Sequence, residues 1–313
     1  MNEEHAAGKI LITGASGFLG RRTAEYYRER YEVFMPGHQE MDITDVQSVG
    51  RYMEGHRPDT VIHCAAVSDV GACAREPEHS RKVNVDGSRN IARICREIGA
   101  KCILSSSDQV YFKSPVSGPH SEDEVLNPGN EYGRQKLLAE QSCLQINPDC
   151  VFLRLSWMYD AASKSEWEHG DFLRTLLANL REGRELVYPV YDVRGITDVN
   201  QVIRNLEKAW KLPGGVWNFG SFNDRSTFDT MEAVFSRLNC GPEIISKLKK
   251  NKDAFSDSPR DISMDPGKRK RYGIEFTDTA EGLCAALEKS GVIPHGYPQS
   301  ACSASAIAAA PSG

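Results

Sequence analysis

The sequence predicts an α/β fold, a doubly wound parallel sheet followed by a smaller mixed region. Three observations carry this expectation. Short apolar runs of β type alternate with amphipathic helical stretches through the first half of the chain. A glycine-spaced loop, TGASGFLG at 13–20, stands between the first such run and the first helical stretch. Beyond residue 156 the alternation gives way to helices separated by isolated strand-like runs. Together these describe a Rossmann-type arrangement, in which ligands bind at the carboxyl ends of the strands.

The elements follow in order. KILIT (9–13) is a short aliphatic run and the first strand, and residues 18–30 form the first helix. YEVFM (31–35) is the second strand and 46–56 the second helix. DTVIHCAA (59–66) is the third strand, largely apolar as in a sheet covered on both faces. A long helical pattern then runs to near Gly99. KCILSSS (101–107) is the fourth strand, 132–145 a helix and CVFLRLS (150–156) the fifth strand. After it, FLRTLLANLREG (172–183) is a helix stopped by glycine. ELVYPV (185–190) is a short strand, 199–210 a helix and GVWNFG (215–220) strand-like, with further helices at 228–238 and 279–289. The small-residue, low-complexity tail SACSASAIAAAPSG is expected to be disordered.

Composition narrows the function. The net charge is -5, from 38 basic and 43 acidic residues, so no overall basic field draws nucleic acid. The basic runs at 247–252 and 268–271 read as solvated helix faces or loops. No apolar run approaches the ~20 residues needed to span a bilayer, and MNEEHAAG does not read as a signal peptide. The nine cysteines are scattered, odd in number and never spaced Cys-x-x-Cys. They read as reduced, packed thiols of a cytoplasmic protein with no metal site.

The loop at 13–20 has a specific physical reading. Gly14 makes the tight turn, Gly17 admits a pyrophosphate close to the backbone, and Gly20 lets the helix pack on the strand. The helix N-terminus, with Ser16, Phe18 and Leu19 around it, supplies free N–H groups. A dinucleotide is the expected ligand. Farther on, EYGRQK (131–136) sets Tyr132 and Lys136 four apart, on one face of a helix.

The G-x-x-G-x-x-G spacing together with Tyr-x-x-x-Lys resembles the extended branch of the short-chain dehydrogenase/reductase superfamily. Further motifs extend the likeness to roughly 9–290. MDITD (41–45) resembles the segment where Asp42 and Ile43 hold the adenine ring. RPDTVIHCAA (57–66) resembles the third-strand motif lining the cofactor, at Cys64, Ala65 and Ala66. SSSDQVY (105–111) resembles the fourth-strand motif whose catalytic hydroxyl is here Ser107. LRLSWMY (153–159), PRDISMD (259–265) and YGIEFTD (272–278) are similar to the dTDP-4-dehydrorhamnose reductase subfamily. The resemblance implies an extension at 1–8 and an NAD(P)-binding core at 9–160. A mixed substrate-binding region follows at 161–298, with re-entry into the core left open, and a tail at 299–313.

It also implies roles. Tyr132 would protonate a substrate carbonyl oxygen, Lys136 would favour the phenolate and hold the nicotinamide ribose, and Ser107 would hydrogen-bond the same oxygen. Ser68, Val70, Ser107, Gln109, Trp157 and Arg194 would face the substrate, though plain core is the other reading of Trp157 and a surface arginine an equal reading of Arg194. Asn84 would bridge backbone groups near the site or cap a helix. Gln109 carries an amide, which argues against a dehydratase needing a second acid at that place. Met35 and Pro36, at the end of the second strand, are neither acidic nor basic. With His38 beyond them, the cofactor is NADP(H) or NAD(H), with a slight lean to NADPH. The expected partners are a small-molecule sugar nucleotide and, at most, a second copy of the chain in a homodimer. A nucleotide-sugar epimerase and a non-catalytic NAD(P)-binding regulatory subunit are the alternatives.

Overall fold

β1 (Lys9–Thr13) is followed by α1 (Phe18–Tyr27), and β2 (Glu32–Phe34) returns parallel to it. The computed structural model describes residues 8–161 and 171–292, so the expected extension, except Gly8, and the expected tail lie outside the described residues. α2 (Val46–His56) starts where the Asp45 side chain accepts from the Gln47 N–H, and β3 (Thr60–His63) is buried throughout. The long helix expected next is broken into α3 (Val70–Arg75), α4 (Pro77–Arg81), a π-helical turn (Lys82–Gly87) and α5 (Ser88–Ile98). Pro77 has no N–H to donate, so it opens a helix instead of continuing one. β4 (Lys101–Ser107) leads into a 3-10 turn (Asp108–Tyr111), and α6 (Glu131–Ile146) precedes β5 (Val151–Leu155).

The second half supplies β6 (Trp157–Tyr159), α7 (Phe172–Arg181), β7 (Leu186–Pro189), β8 (Asp192–Val193), β9 (Ile196–Asp198) and α8 (Val199–Ala209). β10 (Gly215–Phe219), α9 (Thr227–Arg237), α10 (Pro242–Ile245), β11 (Leu248–Asn251), β12 (Arg260–Asp261), α11 (Gly267–Lys270) and α12 (Thr279–Ser290) complete it. The main sheet has six strands in the order β10-β5-β4-β3-β1-β2. Its pairs are all parallel, and the chain reverses direction across the sheet between β1 and β3, which opens a crevice at their carboxyl ends. β10 comes from the second half and pairs with β5 from Gly215↔Val151 to Phe219↔Leu155. The remaining strands form three parallel two-stranded pairs, β6 with β9, β7 with β11 and β8 with β12.

Period-2 alternation divides the core between the two faces of the sheet. Ile10, Ile12, Ile62, Ile103, Val151 and Leu153 point towards α1 and α8 with Tyr27, Val202 and Leu206. Leu11, Val61, Cys102, Leu104 and Phe152 point the other way, into Met53, Ile91, Cys95 and Ala139 of α2, α5 and α6. A third cluster, built on α7, α9 and α12, sits beside the small sheets. One basic run departs from its solvated reading. Arg269 is fully buried and donates to the carbonyls of Ile274 and Gly220 at 2.9 and 3.0 Å, while Lys268 lies over the Trp217 ring and donates to Val216 O. Among the described residues no helix is long and apolar enough to cross a membrane.

An ion pair is buried in this frame. The Arg154 guanidinium on β5 donates to both carboxylate oxygens of Glu140 on α6, at 3.0 and 2.7 Å, and the side chains are 3% and 2% exposed. The Ser106 hydroxyl on β4 donates to the same carboxylate at 2.5 Å. Glu140→Ala would leave Arg154 desolvated and without its counter-charge, a loss of about 3–5 kcal/mol. Urea denaturation reads it. A loss within the ~1 kcal/mol of a solvated surface pair would show that this bond does not hold α6 to the sheet.

Candidate active site

The loop after β1 has the shape of a phosphate cradle. Gly14 has φ +65, and a Cβ there would stand 2.7 Å from the backbone of Ala65. A Cβ at Gly20 would overlap the Gly14 carbonyl oxygen. These two glycines are required by the protein's own packing. Gly17 differs: it is exposed, it is the N-cap of α1, and a Cβ there would meet only Gly14 O, at 3.3 Å. No side chain caps α1, so its first N–H groups are open to an anion, with the helix dipole behind them. Ser16 is exposed, Phe18 half-buried and Leu19 buried at this turn. The residues present therefore fit a dinucleotide pyrophosphate.

The end of β3 closes against this loop. Cys64 N donates to Thr13 O and Ala65 N to Thr13 Oγ1, both at 3.3 Å, which brings Cys64 and Ala65 alongside Gly14, with the half-buried Ala66 next in the chain. The Thr13 hydroxyl meets His63 Nδ1 at 2.7 Å, and His63 Nε2 reaches Ser88 Oγ at 3.2 Å. Burial, helped by the Lys136 charge, pushes the His63 imidazole down to about 3, so it is a neutral tie between β1, β3 and α5.

Asp42 and Ile43 lie apart, between β2 and α2. The Asp42 carboxylate accepts from the Thr44 N–H and hydroxyl at 2.9 and 2.8 Å, and these bonds hold it below the usual carboxylate range. Ile43 O accepts from Asn90 Nδ2, and the Ile43 side chain packs on Gly87 of the π-helical turn. His38 is 82% exposed, 3.8 Å from Asp42.

Ser107, the last residue of β4, accepts from the Gln109 N–H at 3.3 Å and donates to Asp108 Oδ1 at 3.2 Å. Tyr132 and Lys136 share one buried face of α6, with Lys136 Nζ 5.7 Å from the Tyr132 ring centre and donating to Ser105 O at 2.9 Å. Gly133 between them lets α6 approach the 3-10 turn, since a Cβ there would overlap Gln109 O. Gln109 is buried, and its Oε1 accepts from Asn130 Nδ2 at 2.9 Å while Asn130 Oδ1 caps the Gly133 N–H. Gln109 thus braces the start of the Tyr132 helix.

Electrostatics departs from the sequence argument at Tyr132. Burial pushes its phenol well above the ordinary value, the Ser107 hydroxyl pulls it down, and the Asp108 charge pushes it further up. The adjacent ammonium was expected to lower it, but Lys136 is turned to Ser105 O and is itself desolvated. Burial takes Lys136 down to about 8, opposed by Cys64 and Glu140.

Among the residues expected to face the substrate, Trp157 is 41% exposed and meets Phe172 edge-on at 5.2 Å. The Arg194 guanidinium lies 5.2 Å over the Trp157 ring and donates to Asp108 Oδ2 at 2.8 Å, so Arg194 is no surface arginine. Ser68 and Val70 are exposed on the segment after β3. Asn84 takes both backbone groups of the neighbouring Val67, at 2.8 and 3.0 Å, and also donates to Gln135 Oε1. Sequence reasoning passed over Asn130 and Gln135 and gave Asp108 no role. The N-cap spacing from Asn130 to Gly133 was a readable signal; the other two depend on contacts 51 and 86 residues away.

A glycine cradle at the sheet's switch point, with Ser, Tyr and Lys gathered beside it, defines a short-chain dehydrogenase/reductase. The RmlD substrate binding domain family matches residues 8–290. The dTDP-4-dehydrorhamnose reductase of Mycolicibacterium smegmatis is 31% identical over 76% of this chain and 71% of that protein. Bovine methionine adenosyltransferase 2 subunit beta is 29% identical over 85% of this chain and 83% of that one. In structure, Bacillus anthracis dTDP-4-dehydrorhamnose reductase, solved in complex with NADP, superposes with a TM-score of 0.76 at 23% identity, over 90% of this chain and 98% of that one. The chain belongs to the RmlD substrate binding domain family, within the extended short-chain dehydrogenase/reductases.

Two outcomes follow from this geometry. Gly17→Val should fold and lose dinucleotide binding measured by calorimetry, whereas Gly20→Val should lose thermal stability; unchanged affinity in Gly17→Val would remove the cradle. Lys136 is held below its unfolded pKa, so between pH ~8 and ~10.4 the unfolded chain binds more protons and stability rises with pH across that window. At pH 7 the desolvated ammonium is a burden on the fold, and Lys136→Met should raise the Tm of the ligand-free protein. A lowered Tm would mean that the Ser105 bond outweighs desolvation.

Proposed function

We propose that the protein reduces the 4-keto group of a sugar nucleotide with NAD(P)H, NADPH being preferred. The meeting of Ser107, Tyr132 and Lys136 beside an uncapped glycine cradle carries this reading. The likeness to dTDP-4-dehydrorhamnose reductases, one of them solved with NADP, supports it. The backbone of 14–19 would hold the pyrophosphate, Asp42 and Ile43 the adenine end, and Lys136 the nicotinamide ribose. The bound dinucleotide supplies the hydride to the carbonyl carbon.

The chain's own residues do the rest. Ser107 donates a hydrogen bond to the carbonyl oxygen. Tyr132 gives its phenolic proton to that oxygen as charge develops, so the C=O becomes CH–OH and the phenol becomes phenolate. The Lys136 ammonium, 5.7 Å from the Tyr132 ring centre, would favour the phenolate once it forms, against the burial that keeps the resting phenol protonated. Trp157, Gln109, Ser68 and Val70 would border the sugar. The eight described cysteines are all free thiols, which supports a reducing cytoplasmic setting.

The test is consumption of NADPH on addition of a 4-keto sugar nucleotide. Tyr132→Phe should slow single-turnover hydride transfer by ~10²–10⁴-fold, the range of a positioned acid, and keep dinucleotide affinity. Near-wild-type transfer would end Tyr132's role. A regulatory subunit is the second reading, favoured by the long match to the bovine beta subunit. It requires that the wild type bind dinucleotide and transfer no hydride.

A further inference from the structure

Asp108 follows Ser107 directly and is 1% exposed. Each of its carboxylate oxygens has a donor: the Ser107 hydroxyl at 3.2 Å on Oδ1 and Arg194 Nη2 at 2.8 Å on Oδ2. A second cation, Arg260, acts on it from farther away, but Arg260 is bound through two bonds of 2.7 and 2.8 Å to Asp192. Arg194 is therefore its contacting counter-charge. That side chain is 11% exposed and stacked over Trp157, and the Arg194 backbone carbonyl accepts from the buried Asn223 amide at 2.8 Å. Its Nε–H has no partner among the described residues. Such a side chain is held in place chiefly by Asp108 and Trp157.

Ser107 has one hydrogen to give. In the ligand-free protein Asp108 takes it through a long bond, in competition with the Tyr132 oxygen that the same hydroxyl also reaches. Carbonyl reduction builds negative charge on the oxygen that Ser107 and Tyr132 hold. Burial pushes the Asp108 carboxyl up and Arg194 opposes it. With the arginine gone, a carboxylate that stayed ionised one residue along the chain would retain that hydrogen and repel that charge, and in a low-dielectric site neither effect is screened. Paired with Arg194, the carboxylate is a weaker acceptor and part of a neutral unit. We propose that Arg194 serves the chemical step through Asp108, as a positioning residue that neutralises this carboxylate and frees the Ser107 hydrogen for the substrate oxygen. This rests on the reductase reading, and it goes beyond lining the pocket. An arginine that only touched substrate would act on binding and would be indifferent to the charge at 108.

The discriminating experiment is steady-state and single-turnover reduction of a 4-keto sugar nucleotide with NADPH by the full chain. Arg194→Met should lower kcat by about 10²-fold, the scale of losing one positioned donor to a developing oxyanion, with KM changed far less. Adding Asp108→Asn removes the stranded charge, so the double variant should be faster than Arg194→Met alone, by about tenfold or more, as expected of residues coupled through one bond. Arg194→Lys, which keeps the charge, should retain most of kcat. If Arg194→Met does not fold by circular dichroism, Arg194→Gln takes its place in the same comparison. A double variant no faster than the single one, or a loss confined to KM, overturns this inference and leaves the reductase reading standing. A wild type that transfers no hydride overturns both.

Discussion

The Arg154 guanidinium is the bond on which the site's geometry hangs. It projects from β5 and reaches three ways. Two donors go to Glu140, one turn beyond Lys136 on α6, and a third goes to the Tyr111 hydroxyl at 2.8 Å. Tyr111 then donates to Asn218 Oδ1 on β10 at 2.7 Å, and Ser106, next to Ser107, donates to Glu140. One side chain thus sets the height of α6 against β4 and joins both to the strand contributed by the second half of the chain. Ser107 and Lys136 are 29 positions apart along the sequence, and the buried charge pair ties together β4, β5 and α6, the elements that bring them to one crevice.

Around that centre, polar groups from distant segments are satisfied in sequence. Asn218 reaches His120 O, and His120 stacks on Tyr111 at 4.7 Å and bonds Glu124. Asn130 joins α6 to Gln109, and Asn84 joins the π-helical turn both to Val67 and, through Gln135, to α6. Buried polar groups are costly unless bonded, so each bond also selects a position. The consequence is a dry floor beneath Ser107, Tyr132 and Lys136. There an ammonium is destabilised, a phenol is held protonated, and a carboxylate needs a dedicated arginine. Such an arrangement fits the proposed reduction, in which charge appears on the substrate oxygen only during reaction.

Much of the fold was legible in the residues themselves. The alternation of β-type runs and helical stretches reports a parallel sheet, because period-2 and period-3.6 burial are local properties. The cradle was legible for the same reason: a positive φ at Gly14, a close approach at Gly20 and an open N-terminus at Gly17 are demands on single residues. Tyr132 and Lys136 needed only helical spacing to share a face. Tertiary structure alone decided the rest. GVWNFG reads as a strand, but its place beside β5 depends on a register across 64 residues. Gln109 reads as a pocket residue, yet it bonds the cap of α6. Arg269 reads as solvated, yet its neighbours leave it no water. Asp108 and Arg194 lie 86 residues apart. Local patterns encode which face of an element is buried; which partner meets that face, and whether a charge there is screened or stranded, is settled only when the whole chain has packed.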